Sequence, residues 1–156
     1  MVYKKEKLHK KPIVSPYKLK DLNIKNKMKL VEIINSVESL NQLVSAKLPA
    51  KTSYKIGRLS QKLAPEVEAY FKLKNNKMVE YGTVKMKEDG TTPATDEKGN
   101  EMYTFDKENG EKFINELREA EEVEVTVEIP EIKIEDLGDI SIEPKYLSVL
   151  SWLIKE

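Results

Sequence analysis

VEVTVEI, residues 123–129, alternates without a break. Val123, Val125, Val127 and Ile129 point to one side, and Glu124, Thr126 and Glu128 to the other. A period of two is that of an extended strand with one face buried and one in solvent, here an acidic one. It is the strongest strand signal in the chain. Set beside the helical patterns around it, it makes the architecture α+β, with a small, mainly antiparallel β-sheet.

Before the strand, Asp106 is placed to cap a helix over residues 106–120 that turns Phe113, Ile114 and Leu117 inward, with Gly110 weakening its first turns. After it, EIKIE (131–135) and DISIE (139–143) read as further short strands. Pro144 suits the first position of a final helix over 144–155. Leu147, Val149, Leu150, Trp152, Leu153 and Ile154 cover more than one face of that helix, which marks it as buried or in contact with a partner.

Toward the N-terminus, Leu30, Ile33, Ile34, Val37, Leu40 and Val44 recur at steps of three and four from Met28 on. This predicts an amphipathic helix with Asn26 as a cap, ending by Leu48 because Pro49 disfavours helical geometry before it. A second helix is predicted over 52–81, with Tyr54, Ile56, Leu59, Leu63, Val67, Tyr70, Met78 and Tyr81 on its stripe. Pro65 should kink or break it near residues 62–64. The two helices form an antiparallel hairpin. Gly82 is expected to end the second in a left-handed cap. Residues 83–104, with turn pairs at Asp89-Gly90 and Gly99-Asn100, read as a polar hairpin or long loop.

The 156 residues are the size of one domain, read as a single α+β domain over 28–156 preceded by a basic extended arm over 1–27. Hydrophobic residues make up 39% and charged residues 35%, so the core is modest and the surface heavily charged. The net charge of zero hides an asymmetry. Residues 1–29 carry ten lysines against Glu6 and Asp21, a net +8, and the other 127 residues carry 17 bases and 25 acids, a net −8. A basic arm on an acidic body implies two surfaces with different partners. No apolar run is long enough to span a membrane, and the basic start is not followed by the apolar segment of a secretory signal.

Much chemistry is excluded. Without cysteine there is no thiolate nucleophile, disulfide or cysteine metal site. His9, the single histidine, lies in the arm, where no rigid surroundings would hold it for catalysis. Neither phosphate-cradling glycine motif occurs. Glu119, Glu121, Glu122 and Glu124, and Glu135, Asp136 and Asp139, form acidic clusters that read as solvated faces rather than as acid–base or cation sites. The expectation is therefore a protein with no catalytic residue, no metal site and no cofactor.

Two candidates for binding remain. Lys4, Lys5, Lys7, Lys10, Lys11, Lys18 and Lys20 give the arm its charge. They could dock on the acidic body of a neighbouring copy. They could instead neutralise phosphates of nucleic acid, with Tyr3 and Tyr17 stacking on bases, or serve as a solubilising tail. The arm has no arginine, so any contact with nucleic acid would be non-specific. Trp152, the single tryptophan, is either a core residue or an interface anchor.

MKLVEIINSVESLNQLVSAKLPAKTSYKIGRLSQKL (28–63), KMVEYG (77–82), the turn-rich DEKGN (96–100) and VEVTVEIPEIKIEDLGDISIEPKYLSVLSWLI (123–154) together resemble a group of small, uncharacterised proteins of tailed phages and prophages of Gram-positive bacteria. The resemblance implies phage origin and a small accessory role. It carries no catalytic signature and assigns no functional residue, and the basic arm departs from the pattern. The expected function is a non-enzymatic phage protein acting by protein–protein contact, as a virion structural or assembly component in the virion or in the cytoplasm of the infected bacterium. Its partners would be its own copies or other phage proteins. The alternatives are an inhibitor of a host defence protein and a non-specific nucleic-acid-binding accessory protein.

Overall fold

A computed structural model describes residues 24–156, with Ile24 and Lys25 described in their backbone alone. The arm lysines Lys4, Lys5, Lys7, Lys10, Lys11, Lys18 and Lys20 lie outside the described residues. In chain order the elements are β1 (Ile24–Lys29), α1 (Leu30–Ser45), α2 (Ala50–Tyr81), β2 (Thr83–Val84), β3 (Tyr103–Thr104), α3 (Lys107–Glu121), β4 (Glu124–Ile129), β5 (Ile132–Lys133), a 3₁₀ turn (Ile134–Leu137), α4 (Pro144–Val149) and β6 (Ile154–Lys155). The fold is α+β, as the sequence implies, but its strands form three separate pairs. β1–β4 and β2–β3 are antiparallel, and β5–β6 is parallel.

The alternating stretch is a strand as predicted, with Val127 and Ile129 buried and Glu124 and Thr126 exposed; Val123, just before it, is exposed. Its partner is the correction. Residues 24–29 pair with it, Ile24 opposite Ile129 and Lys29 opposite Glu124. The arm boundary drawn at residue 27 thus falls inside a strand, and helix α1 begins at Leu30, not Met28. Asn26 is a strand residue rather than a cap. The capping position is Lys29, whose backbone N–H donates to the Glu32 carboxylate at 2.9 Å. Met28 is the inward residue of β1 and is buried in the core.

Helix α2 begins at Ala50 and runs through Pro65 to Tyr81 without the predicted break. Core contacts of Ile56, Leu59 and Leu63 before the proline and burial of Tyr70 after it hold both parts in one helix despite the missing backbone donor. Thr52 fixes the start of this helix, donating its hydroxyl to the Asp136 carbonyl at 2.7 Å. Gly82 is not left-handed. Its φ of −93° is ordinary, and glycine is needed there because a Cβ would lie 2.6 Å from the Met78 carbonyl oxygen. Asp106 does cap α3, accepting from the Asn109 backbone at 2.8 Å, but Ile114 on that helix is exposed while Leu117 is buried. Val44 on α1 and Tyr54 on α2, both placed on inward stripes from spacing, are exposed.

The C-terminal segment differs most from expectation. DISIE forms no strand, and the final helix stops at Val149 rather than continuing to residue 155. A tight turn follows, in which Leu153 and Ile154 both donate to the Leu150 carbonyl at 2.9 Å. Ile154 then pairs with Ile132. The turn seats Leu150 and Leu153, both fully buried, in the core with Ile132 and leaves Ile154 extended for strand pairing, which a continuous helix would not allow.

The main core joins Met28, Ile33, Leu40 and Leu43 to Ile56, Leu59 and Leu63 of α2, to Val127 and Ile129 of β4, and to Ile132, Leu137, Leu150 and Leu153. A smaller cluster of Leu30, Tyr70 and Leu117, with Ile34 and Phe113 against it, attaches α3. No helix among the described residues is long and apolar enough to cross a membrane.

Candidate functional site

Trp152 is half-buried against the main core. Its indole N–H donates to the Ser36 hydroxyl at 2.9 Å, and that hydroxyl donates to the Glu32 carbonyl at 2.7 Å. Ser36 is itself buried, so the pair fastens the C-terminus to α1. The indole has therefore spent its polar group inside the protein, and it is the part of its ring still in solvent that an interface could use.

The acidic cluster at 119–124 is taken up piecemeal. Tyr70 donates to Glu121 at 2.6 Å, Lys29 reaches Glu122 at 2.6 Å, and Lys27 lies 3.6 Å from Glu124. Burial, reinforced by the carboxylate, pushes the Tyr70 phenol up to about 12. The hydrogen bond to Glu122 raises Lys29. A second group ties α2 to α3. Glu116 accepts from Tyr81 at 2.5 Å and pairs with Lys77 at 2.7 Å, and Lys77 also meets Glu80 at 2.8 Å. Lys77 and Tyr81 hold Glu116 below the usual carboxylate range, and Glu116 pushes Tyr81 up to about 12. These carboxylates act as structural acceptors. Among the described residues no group of three or more Asp, Glu, His or Cys is placed to hold a metal ion.

The β1–β4 ribbon presents opposite charges on adjacent strands. Lys27 and Lys29 stand beside Glu124 and Glu122, and the register sets residue 25 opposite Glu128. This ribbon is where the basic N-terminal segment enters the folded body.

One feature escapes a reading confined to apolar periodicity. Lys51, Lys55, Arg58 and Lys62 recur at steps of four, three and four on α2, with no acidic residue between 50 and 64. They line one cleft with Tyr54, Leu59, Glu128 and Pro130. Lys62 pairs with Glu128 at 2.7 Å, and Lys55 donates to the Glu131 carbonyl at 3.2 Å. Among the described residues Arg58 makes no ion pair, and its guanidinium has a single long bond, 3.5 Å, to the Tyr54 hydroxyl. Tyr54 is 67% exposed. The spacing was visible in the sequence; the facing wall of Glu128 and Pro130 was not.

No known protein family matches this chain, and neither a curated protein nor a solved structure is significantly similar to it.

Proposed function

We propose that this chain is a non-enzymatic phage protein that works by protein–protein contact, as a virion or assembly component whose basic arm docks on the acidic surface of a neighbouring copy. The phage origin rests on the sequence resemblance alone. The docking rests on one observation, the ribbon in which Lys27 and Lys29 of β1 lie against Glu124 and Glu122 beside β4. The same lysine-on-glutamate chemistry, continued through Lys4, Lys5, Lys7, Lys10, Lys11, Lys18 and Lys20, suits an acidic face on the next copy. Each exposed pair is worth only about 0–1 kcal/mol, so docking needs many of them and weakens with salt.

The test is light scattering coupled to size exclusion, on the full chain and on a full chain with those seven lysines changed to glutamine. A defined oligomer is expected at low salt, lost both at high salt and in the glutamine variant. Monomers under every condition, or an oligomer indifferent to the seven lysines, would defeat the reading. A truncation at Met28 is unsuitable because it removes most of β1.

A further inference from the structure

We infer that the cleft between the first half of α2 and the end of β4 is a binding site for single-stranded nucleic acid, separate from the arm. Its lining carries four cations, Lys51, Lys55, Arg58 and Lys62, and one carboxylate, Glu128. This local excess of positive charge sits on a body whose residues 30–156 carry a net −8. The cations follow one helix face over about 16 Å, at 1.5 Å per residue. A linear array of this kind fits a linear polyanion better than it fits a rounded acidic surface.

The second component is aromatic. Tyr54 stands between Lys51 and Lys55 in sequence and is 67% exposed, and Pro130 and Leu59 supply an apolar wall in the same cleft. Single-strand binding sites combine a positive groove for the backbone with aromatic faces on which bases stack. An acidic peptide would meet the cations and leave Tyr54 unused. A duplex turns its bases inward, away from that ring. On the other side Lys51 and Lys55 share a recess with Lys133 and with Glu131, Glu135 and Asp136, whose three carboxylates offset the three lysines, so the excess of positive charge lies on the Tyr54 side. The negative body opposes approach at long range, but at physiological salt the screening length is about 8 Å and the cleft acts locally.

The experiment is fluorescence anisotropy of a labelled oligothymidylate with the full chain across a salt series. Wild type should bind, with affinity falling steeply as salt rises. Arg58→Ala should flatten the log–log salt slope by about 0.7. Tyr54→Ala should weaken binding roughly fivefold or more through lost stacking. Arg58→Lys should keep the salt slope. Both side chains are exposed, and unchanged circular dichroism checks that the variants fold. With the seven arm lysines changed to glutamine, the dependence on Tyr54 and Arg58 should persist. The inference falls if wild type does not bind, if binding ignores both Tyr54 and Arg58, or if a glutamate-rich peptide competes as well as the oligonucleotide. The oligomer measured by light scattering reports on the arm alone, so each idea can fail without the other.

Discussion

Before Pro65, helix α2 buries Ile56, Leu59 and Leu63, each no more than 4% exposed, in an aliphatic core shared with α1, β4 and the C-terminal turn. After Pro65 it buries Tyr70 but leaves Phe71 42% and Val79 66% exposed, and Tyr70, Lys77 and Tyr81 bond to carboxylates of α3. One continuous helix is thus held by apolar burial in one half and by phenol–carboxylate and ion-pair contacts in the other. Apolar burial is non-directional and does not depend on protonation. The polar contacts depend on both geometry and pH. The two halves should therefore fail under different conditions.

The largest expected effect is in the apolar half. Ile56→Ala removes a fully buried side chain from the centre of the core and should lower stability by about 2–5 kcal/mol in denaturant unfolding. A loss well under that would mean the core around α2 is loosely packed, and the contrast would weaken. At the other end, Gly82→Ala sets a Cβ 2.6 Å from the Met78 carbonyl and 3.1 Å from the rings of Tyr103 and Phe105. Relieving that overlap should cost about 1–3 kcal/mol and loosen the 83–104 hairpin first, which hydrogen exchange would show.

The smallest effect is the most diagnostic. Tyr70 and Tyr81 have folded-state values near 12 against the ordinary 10. A group raised on folding adds stability that is complete below its unfolded value and is lost as pH climbs toward the folded one. The polar half should therefore loosen between about pH 10 and 12. Tyrosinate absorbance should show Tyr70 and Tyr81 ionising late. Glu116 has the opposite sign. Its value is held down, so its contribution disappears as pH falls through the acid range. If exchange in the first half of α2 follows the same pH profile, the division between the halves is not real.

Local signals in the sequence were sufficient where the responsible groups are close along the chain. The Asp106 cap needs only Asn109 three residues on, and the alternation of residues 123–129 needs only its own pleat. They failed where the partner is distant. IKNKMK holds two apolar residues, Ile24 and Met28, among lysines and asparagine, too few to compete with the helical pattern that follows. Its strand character comes from the open edge of β4 about a hundred residues later. YLSVLSWLIKE is apolar enough for a helix, yet burying Leu150 and Leu153 while pairing Ile154 with β5 selects a turn and a strand. The candidate cleft divides in the same way, with its cation spacing readable along α2 and its wall of Glu128 and Pro130 supplied by another element.

The amino-acid sequence by itself determined the α+β class, the two long helices, the alternating strand and the opposition of a basic start to an acidic body, because periodicity, capping and charge act over a few residues. Tertiary structure alone decided that residues 24–29 are a strand, that the last helix stops at Val149, that Pro65 does not break α2, and that the basic stripe faces β4. Each of those outcomes depends on a backbone edge or an apolar surface contributed from far along the chain, and such long-range burial outweighs local propensities worth less than about 1 kcal/mol per residue, as well as the roughly 3 kcal/mol penalty of a single helical proline.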